Sequence, residues 1–481
     1  MEPILEVRDL TVHFPVFKGF IQRLFGGADA KVHAVDNVSF SIAPGEILGL
    51  VGESGCGKST IARTLVGLTS ATGGTIVYKG RDITRPKPKE RKVLHEQIQI
   101  VFQDPHAALN PAITIGEAIA DVLRTHGIPS PDGTRAPVTS QTPLRPVVNQ
   151  VLEDVGLHPA DLFHDKYPRE LSGGQKQRVV LGRVIALRPS IVIADEPVAM
   201  LDMSIRAHVL RLLLDLRAKY GLTYIFITHD LATAKLICER IAIMYLGQIA
   251  EIGTTRSVYA HPKHPYTKAL LEAIPVPDPD RRHEKKLPKG EVPNAVNPPA
   301  GCRFHPRCPV ATPTCGWEPR DVFELLDRRA LDVETRNRDE EALGPRESIT
   351  TDGQTLRIRA GKTGLPRTQK WLMALFVLVA GTAEGAFVAA VGIAVLLSGF
   401  LTLLMTDRLA RRDPFEIRQL ASKTERVRAY LGEVLTTAPE PMARAVGQLA
   451  TADGVAFVEY SPTSDPGLRK VQETEVRCVL Y

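Results

Sequence analysis

The chain has 481 residues, room for about three units of ordinary domain size and so for a sizeable core. Its 60 Lys and Arg against 54 Asp and Glu leave a net charge of only +6, so nothing in the balance calls for nucleic acid as a partner. Six cysteines in so long a chain, with no charged-then-apolar leader at the start, argue against a secreted disulfide framework and for a reducing cytosol.

In chain order, Leu5, Val7, Val12 and Phe14, then Val38, Phe40 and Ile42, alternate with polar residues, which predicts a small antiparallel β-subdomain. The short apolar runs 47–51, 98–102, 191–194 and 224–228 alternate with longer helical patterns, as buried parallel strands of an α/β domain do. Directly after the first run stand Gly52, Glu53, Ser54, Gly55, Cys56, Gly57, Lys58 and Ser59, followed by Thr60 and a helical pattern through Ile61, Leu65 and Val66. Glycines there let successive backbone N–H groups curve around phosphate oxygens. Lys58 supplies a point charge to the outer phosphates, and Ser59 can hold Mg2+. The third run ends in Asp195 and Glu196; Asp195 would support the metal and Glu196 is placed to polarise an attacking water.

Leu171-Ser172-Gly173-Gly174-Gln175 resembles the pentapeptide of ATP-binding cassette (ABC) proteins, which chance would produce in fewer than about one in a thousand chains of this length. The same residues are also a Ser-capped helix start, an anion-attracting end. The resemblance implies that ATP and Mg2+ are bound. Phe14 is similar to the aromatic residue that stacks on adenine, and Gly52, Ser54, Gly55, Cys56, Gly57, Lys58, Ser59 and Thr60 form the phosphate loop. Gln103 resembles the glutamine that senses metal and water, His229 the switch histidine, and Asp202 the aspartate of the loop crossing between subunits. Ser59, Gln103 and Asp195 are then the Mg2+ ligands, and Glu196, His229 and Gln103 the catalytic set. Ser172, Gly173, Gly174, Gln175 and Asp202 would face a nucleotide on a second ATPase subunit. The family's Ser-Ala-Leu-Asp is replaced here by Ala199-Met200-Leu201-Asp202, which loses a hydroxyl and adds bulk. One phosphate loop and one such pentapeptide per chain imply a homodimer, or a heterodimer with a related ATPase.

His264-Pro265-Tyr266-Thr267-Lys268-Ala269-Leu270-Leu271 is similar to the tail of ATPases from oligopeptide, dipeptide and nickel importers, and the likeness runs through about residue 325. It implies two membrane permease subunits and a solute-binding protein as partners, with no nucleic acid, at the cytoplasmic side of the cell membrane. Cys302, Cys308 and Cys315 fall in a Pro-rich stretch without periodicity. They are candidate ligands for an iron-sulfur cluster or zinc, or are unliganded, with His305 and the remote Cys478 as the only further candidates. Between residues 370 and 407 the chain is apolar enough for a single span or a transmembrane hairpin with Glu384 near its turn, which would anchor the chain.

The expected fold is thus α/β, a P-loop NTPase of ABC type (parallel sheet core, antiparallel β-subdomain, helical subdomain) with a C-terminal transmembrane segment and a small α+β tail. Its divisions are the ATPase domain 1–270, the importer-type segment 271–325, a charged linker 326–369, the apolar stretch 370–407 and a small domain 408–481. The expected function is the ATP-hydrolysing motor of an importer for short peptides or a related solute such as nickel. The alternatives are an ABC ATPase driving export or a mechanical task outside transport.

Overall fold

The computed structural model describes residues 2–16, 30–130, 134–274, 290–343, 349–352, 355–359, 414–452, 455–460 and 467–478. They form two compact units, Met1–Val310 with Asp465–Tyr481, and Ala311–Ser464.

The first unit opens on β1 (Leu5–Pro15) and β2 (Lys31–Ile42), antiparallel in the register Leu5↔Ile42, His13↔His33 and Phe14↔Val32. After β3 (Ile47–Gly52) and helix α1 (Lys58–Leu65), β4 (Gly73–Tyr78) pairs with the free side of β1, and the two-residue strand Arg81–Asp82 ends that sheet. Next come β5 (Ile98–Val101), α2 (Ile115–His126), α3 (Arg145–Asp154), α4 (Gly173–Ile185), β6 (Ile191–Asp195), α5 (Met203–Tyr220), β7 (Thr223–Thr228), α6 (Leu231–Ile237), β8 (Arg240–Tyr245) and β9 (Gln248–Thr254).

β3, β6 and β7 are buried along their whole length, as the centre of a parallel sheet covered on both faces must be. Their alternate residues feed two cores. Ile47, Val51, Val192, Ala194, Tyr224 and Phe226 enter one, while Leu48, Leu50, Ile191, Ile193, Ile225 and Ile227 enter the other. Each Val, Leu, Ile or Phe side chain among them contributes about 1.5–3 kcal/mol by leaving water. The parallel pairs Tyr224↔Ile47, Ile227↔Asp195 and Val101↔Ala194 bring the C-terminal ends of β3, β5, β6 and β7 to one edge, where ligands of open α/β sheets bind. Beside this sheet α2, α3 and α4 share the core residues Ile119, Leu123, Val148, Leu152 and Val184.

The second unit contains α7 (Pro319–Arg329), α8 (Val333–Leu343), β10 (Ile349–Asp352), β11 (Thr355–Arg359), α9 (Pro414–Thr436), α10 (Glu440–Ala445), β12 (Val446–Ala452) and β13 (Val455–Tyr460). Its antiparallel sheet has the order β10-β11-β13-β12. Val322, Leu326, Leu343, Ile358, Val427, Leu431 and Val434 form its core. Buried Asp339 takes a bidentate hydrogen bond from Arg329 and one of 3.0 Å from the Tyr430 hydroxyl, which fixes α8 to α7 and α9. The chain then re-enters the first unit as β14 (Arg469–Val471) and β15 (Thr474–Val476), which pairs antiparallel with β9. The large sheet therefore reads β14-β15-β9-β8-β3-β7-β6-β5.

The expected fold class requires a correction: among the described residues no helix is long and apolar enough to cross a membrane. The apolar stretch 370–407 on which that expectation rested lies outside the described residues. The architecture is that of a P-loop α/β unit with a β-subdomain and a helical subdomain, joined to an α+β unit.

Candidate functional site

The loop between β3 and α1 owes its path to glycines at two places where a side chain would collide. A Cβ on Gly52 would lie 2.2 Å from the Met244 carbonyl oxygen, and one on Gly57, at φ +105°, 2.3 Å from that of Ala34. Gly57 is also the N-cap of α1, so the loop leads into a helix N-terminus, which favours anions. Lys58 is buried, its Nζ donating to the carbonyls of Gly52 and Glu53 at 2.8 Å each and lying 3.6 Å from Cys56 Sγ. Burial pushes the Cys56 thiol up and keeps it neutral. Ser54 and Gly55 are exposed on the loop, and Thr60 accepts the Thr64 hydroxyl through its carbonyl at 2.8 Å.

Ser59 Oγ donates to Asp195 Oδ1 at 3.2 Å, joining α1 to the end of β6. Burial pushes the Asp195 carboxyl up, the Ser59 hydrogen bond opposes this, and the neighbouring Glu196 carboxylate adds to it. A hydroxyl and a buried, destabilised carboxylate at hydrogen-bonding distance are a donor pair that suits Mg2+, so the residues present fit that ion. Gln103, beyond the end of β5, is exposed and lies with the group described next.

Glu196 follows β6 in the left-handed region at φ +49°, a conformation that costs a non-glycine residue about 1–2 kcal/mol. It is held there by its own N–H, bonded to the Ile227 carbonyl at 3.0 Å. Its carboxylate is gripped from both sides: Gln103 Nε2 donates to Oε2 at 3.1 Å, and His229 Nδ1 lies 3.0 Å from Oε1. Three strand ends thus converge on one carboxylate, an arrangement able to orient a water and accept its proton.

Ser172 caps α4. Its Oγ accepts from Gln175 N at 3.3 Å, and Gln175 Oε1 accepts from Ser172 N at 3.0 Å, a reciprocal capping box. Asp202 caps α5 by accepting from Ile205 N at 3.1 Å and the Ser204 hydroxyl at 3.0 Å. The two helix starts touch, since a Cβ on Gly174 would come within 2.6 Å of Ile205 Cγ2 and one on Gly173 would lie 4.0 Å from Leu201 Cδ2. Among the described residues no hydrogen bond joins these five residues to the phosphate loop. Phe14 stands on β1, 40 % exposed.

Three residues went unnoticed in the sequence as parts of this site. The buried Tyr266 hydroxyl accepts from Glu53 N at 3.3 Å, and Arg307 reaches both Glu53 Oε2 at 3.4 Å and the Tyr245 hydroxyl at 3.3 Å. Tyr245, Tyr266 and Phe304 pack ring against ring at 4.7–5.3 Å. The segment after the ATPase core therefore buttresses the phosphate loop; the His-Pro-Tyr sequence was the available signal.

Among the described residues no group of three possible metal ligands includes Cys302, Cys308 or Cys315. Cys315 Sγ accepts from Thr312 N at 3.2 Å. No observation on the described residues supports an iron-sulfur cluster at these cysteines.

A glycine-shaped loop between strand and helix, a buried lysine within it, a Ser–Asp pair and a carboxylate gripped at the neighbouring strand ends together define a P-loop nucleoside triphosphatase. Residues 35–199 match the family described as ABC transporter, and residues 250–315 the oligopeptide/dipeptide transporter C-terminal region. The oligopeptide transport ATP-binding protein OppF of Salmonella typhimurium is 45% identical over 330 residues, 68% of this chain and 95% of that protein. OppF of Escherichia coli gives the same identity and coverage. The oligopeptide transport ATP-binding protein AppF of Bacillus subtilis is 44% identical over 317 residues, 65% of this chain and 92% of that protein. The chain belongs to the ABC transporter family of ATPases, in its oligopeptide/dipeptide branch.

The Asp195 environment leads to a test. A carboxyl raised in the folded state contributes stability below its unfolded pKa, and that contribution is lost as pH rises through the folded value. At neutral pH the ionised group therefore works against the fold. Asp195→Asn is expected to raise the melting temperature of the nucleotide-free protein by about 2 °C at pH 7, with the gain shrinking as pH falls toward about 4. The same variant is expected to lose the extra stabilisation that Mg2+ adds to ATP. Melting curves with and without Mg2+ and ATP check both; an unchanged Mg2+ increment removes Asp195 from the metal site.

Proposed function

We propose that this chain is the ATP-hydrolysing motor subunit of an ABC importer for short peptides, working at the cytoplasmic face of a membrane with two permease subunits and a solute-binding protein. The observation that carries the catalytic half is the Glu196 carboxylate held between Gln103 and His229 beside the Ser59–Asp195 pair. The peptide half rests on relatives named as oligopeptide transport ATP-binding proteins and on the match to the oligopeptide/dipeptide transporter region.

In this reading the phosphate-loop amides from Gly52 to Thr60 and the Lys58 ammonium hold the outer phosphates, and Phe14 stacks on the base. Ser59 and Asp195, with Gln103 at the outer side, hold Mg2+, which screens phosphate charge when bound. Glu196 accepts the proton of the attacking water while Gln103 and His229 keep the carboxylate aimed. The Ser172 and Asp202 helix starts, with Gly173, Gly174 and Gln175, present backbone donors to a nucleotide on the second ATPase subunit, whether a copy of this chain or a related one. Closure of the pair on ATP and its release after hydrolysis supply the stroke.

The test is reconstitution with candidate permeases and binding proteins in vesicles, measuring ATP turnover with and without short peptides. Peptide-stimulated turnover is expected. Turnover that no peptide stimulates, but that an exported solute or a soluble macromolecule does, would overturn the importer assignment.

A further inference from the structure

The proposed nucleotide chemistry makes no use of a second group of ligand-bearing side chains. β1 and β2 set His13 opposite His33, with ring centroids 4.1 Å apart, and Asp36 lies three residues further along β2. The Asp36 carboxylate bridges the two rings: Oδ1 contacts His13 Nε2, and Oδ2 lies 3.0 Å from His33 Nδ1. One atom from each residue lies within 4.8 Å of the other two. The Arg303 guanidinium also contacts Asp36 Oδ2 and is held in turn by the Leu246 carbonyl.

We infer that His13, His33 and Asp36 form a binding site for a divalent first-row transition-metal cation, separate from the Mg2+ of the nucleotide site. Two imidazole nitrogens and one carboxylate oxygen are a donor set for Zn2+-like ions rather than for Mg2+, which prefers oxygen.

The donors are preorganised, because each backbone is tied to a different element. His13 N donates to Thr72 Oγ1 at 2.9 Å, His33 N to the Ala295 carbonyl at 2.8 Å and Asp36 N to the Gly247 carbonyl at 2.8 Å. A tetrahedral ion with bonds of about 2.1 Å holds its donors about 3.4 Å apart. The widest pair, at no more than 4.8 Å, therefore closes by about 1.4 Å at most, which side-chain rotation supplies. Asp36 is nearly buried, whereas the side chains of His13 and His33 keep 19% and 31% of their exposure, so an ion can enter from solvent and keep water as its remaining ligand. Arg303 orients the carboxylate from behind, as outer-shell partners of metal ligands do. It also shares the carboxylate's charge, so the expected affinity is micromolar rather than nanomolar.

The site backs onto the phosphate loop, because the Ala34 carbonyl between His33 and Asp36 is the atom that excludes a side chain from Gly57. His13 also precedes Phe14. An ion here stiffens the strand pair that carries Phe14.

The test titrates the nucleotide-free full-length chain with Zn2+ by calorimetry, in wild type, His13→Ala and His33→Ala, with Mg2+ as competitor. The six cysteines are common to all three proteins, so the comparison removes their contribution. Wild type is expected to bind one Zn2+ more than either variant, or to bind it at least about tenfold more tightly, with no competition from Mg2+. Equal stoichiometry and affinity in all three overturns the site and leaves the cluster an ion-pair hub. His33→Gln, which keeps the shape of the side chain, replaces His33→Ala if the latter does not fold. Zn2+-edge X-ray absorption on wild type at one equivalent needs no variant: imidazole and oxygen scattering is expected, and an all-sulfur shell would refute the assignment.

Discussion

Glu196→Gln is expected to bind ATP as wild type does and to hydrolyse it about 10²–10⁴-fold more slowly, the usual size of a general-base contribution. The argument is geometric. The Glu196 carboxylate is touched by both Gln103 and His229, which come from different strand ends, and glutamine is its isostere. The amide can still pair with Gln103 and His229 after a flip, so the backbone at φ +49° has no new reason to relax. What disappears is the ability to take a proton. Among the described residues Lys58, Ser59 and Asp195 make no hydrogen bond to the changed atom, and only Asp195 feels its charge, so binding is retained. Single-turnover hydrolysis against fluorescent-nucleotide affinity measures the split. A turnover within tenfold of wild type, or affinity lost in step with turnover, contradicts the assignment.

The companion change His229→Ala separates orientation from proton transfer. It leaves the carboxylate present but gripped from one side only, so hydrolysis falls less than in Glu196→Gln. Equal losses in the two variants would give His229 a more direct share of the chemistry.

Much of this site was legible because its parts are local patterns. A phosphate loop is a contiguous stretch that must follow a strand and open a helix, and residues 47–65 do both. The apolar runs 98–102, 191–194 and 224–228 each carry a strand ending where a polar residue follows, so Gln103, Glu196 and His229 could be marked one by one. Their convergence could not, since it depends on β5, β6 and β7 lying side by side in register. The unusual φ of Glu196 had no sequence signal either, because glycine and asparagine are the residues that announce that conformation.

What escaped sequence reading was long-range. Asp36 and Arg303 meet across 267 positions, and His13 faces His33 only through the register of β1 and β2. Strands as short as Arg469–Val471 and Thr474–Val476 carry too few residues to show a period, so the return of the chain to the edge of β9 left no trace in hydropathy. Closeness in sequence made Cys302, Cys308 and Cys315 candidate ligands, yet no group of possible metal ligands among the described residues includes them.

Lys58→Met is expected to weaken ATP binding by about 10–100-fold, corresponding to the roughly 1.5–3 kcal/mol of a hydrogen bond to a charged group, while leaving the nucleotide-free protein as stable as before or more so. The two signs follow from one observation. Lys58 is 5% exposed, and among the described residues it forms no salt bridge; its partners are the carbonyls of Gly52 and Glu53 and, at 3.6 Å, Cys56 Sγ. Carbonyl oxygens satisfy its N–H groups but do not neutralise its charge, so its desolvation is only partly offset in the free protein. Methionine keeps most of the stem's volume, avoids a cavity and removes that cost. The two carbonyls lose a donor: Glu53 is only half-buried, so water can replace it there, whereas Gly52 is buried, and that loss offsets part of the gain. A residue conserved in its place for folding would lower the melting temperature when replaced; one retained for an anionic ligand lowers affinity and spares the melt. Thermal denaturation without nucleotide, set beside equilibrium binding of ATP, tells these apart. A melting temperature that falls by several degrees with affinity unchanged would make Lys58 a structural lysine and remove it from the phosphate site.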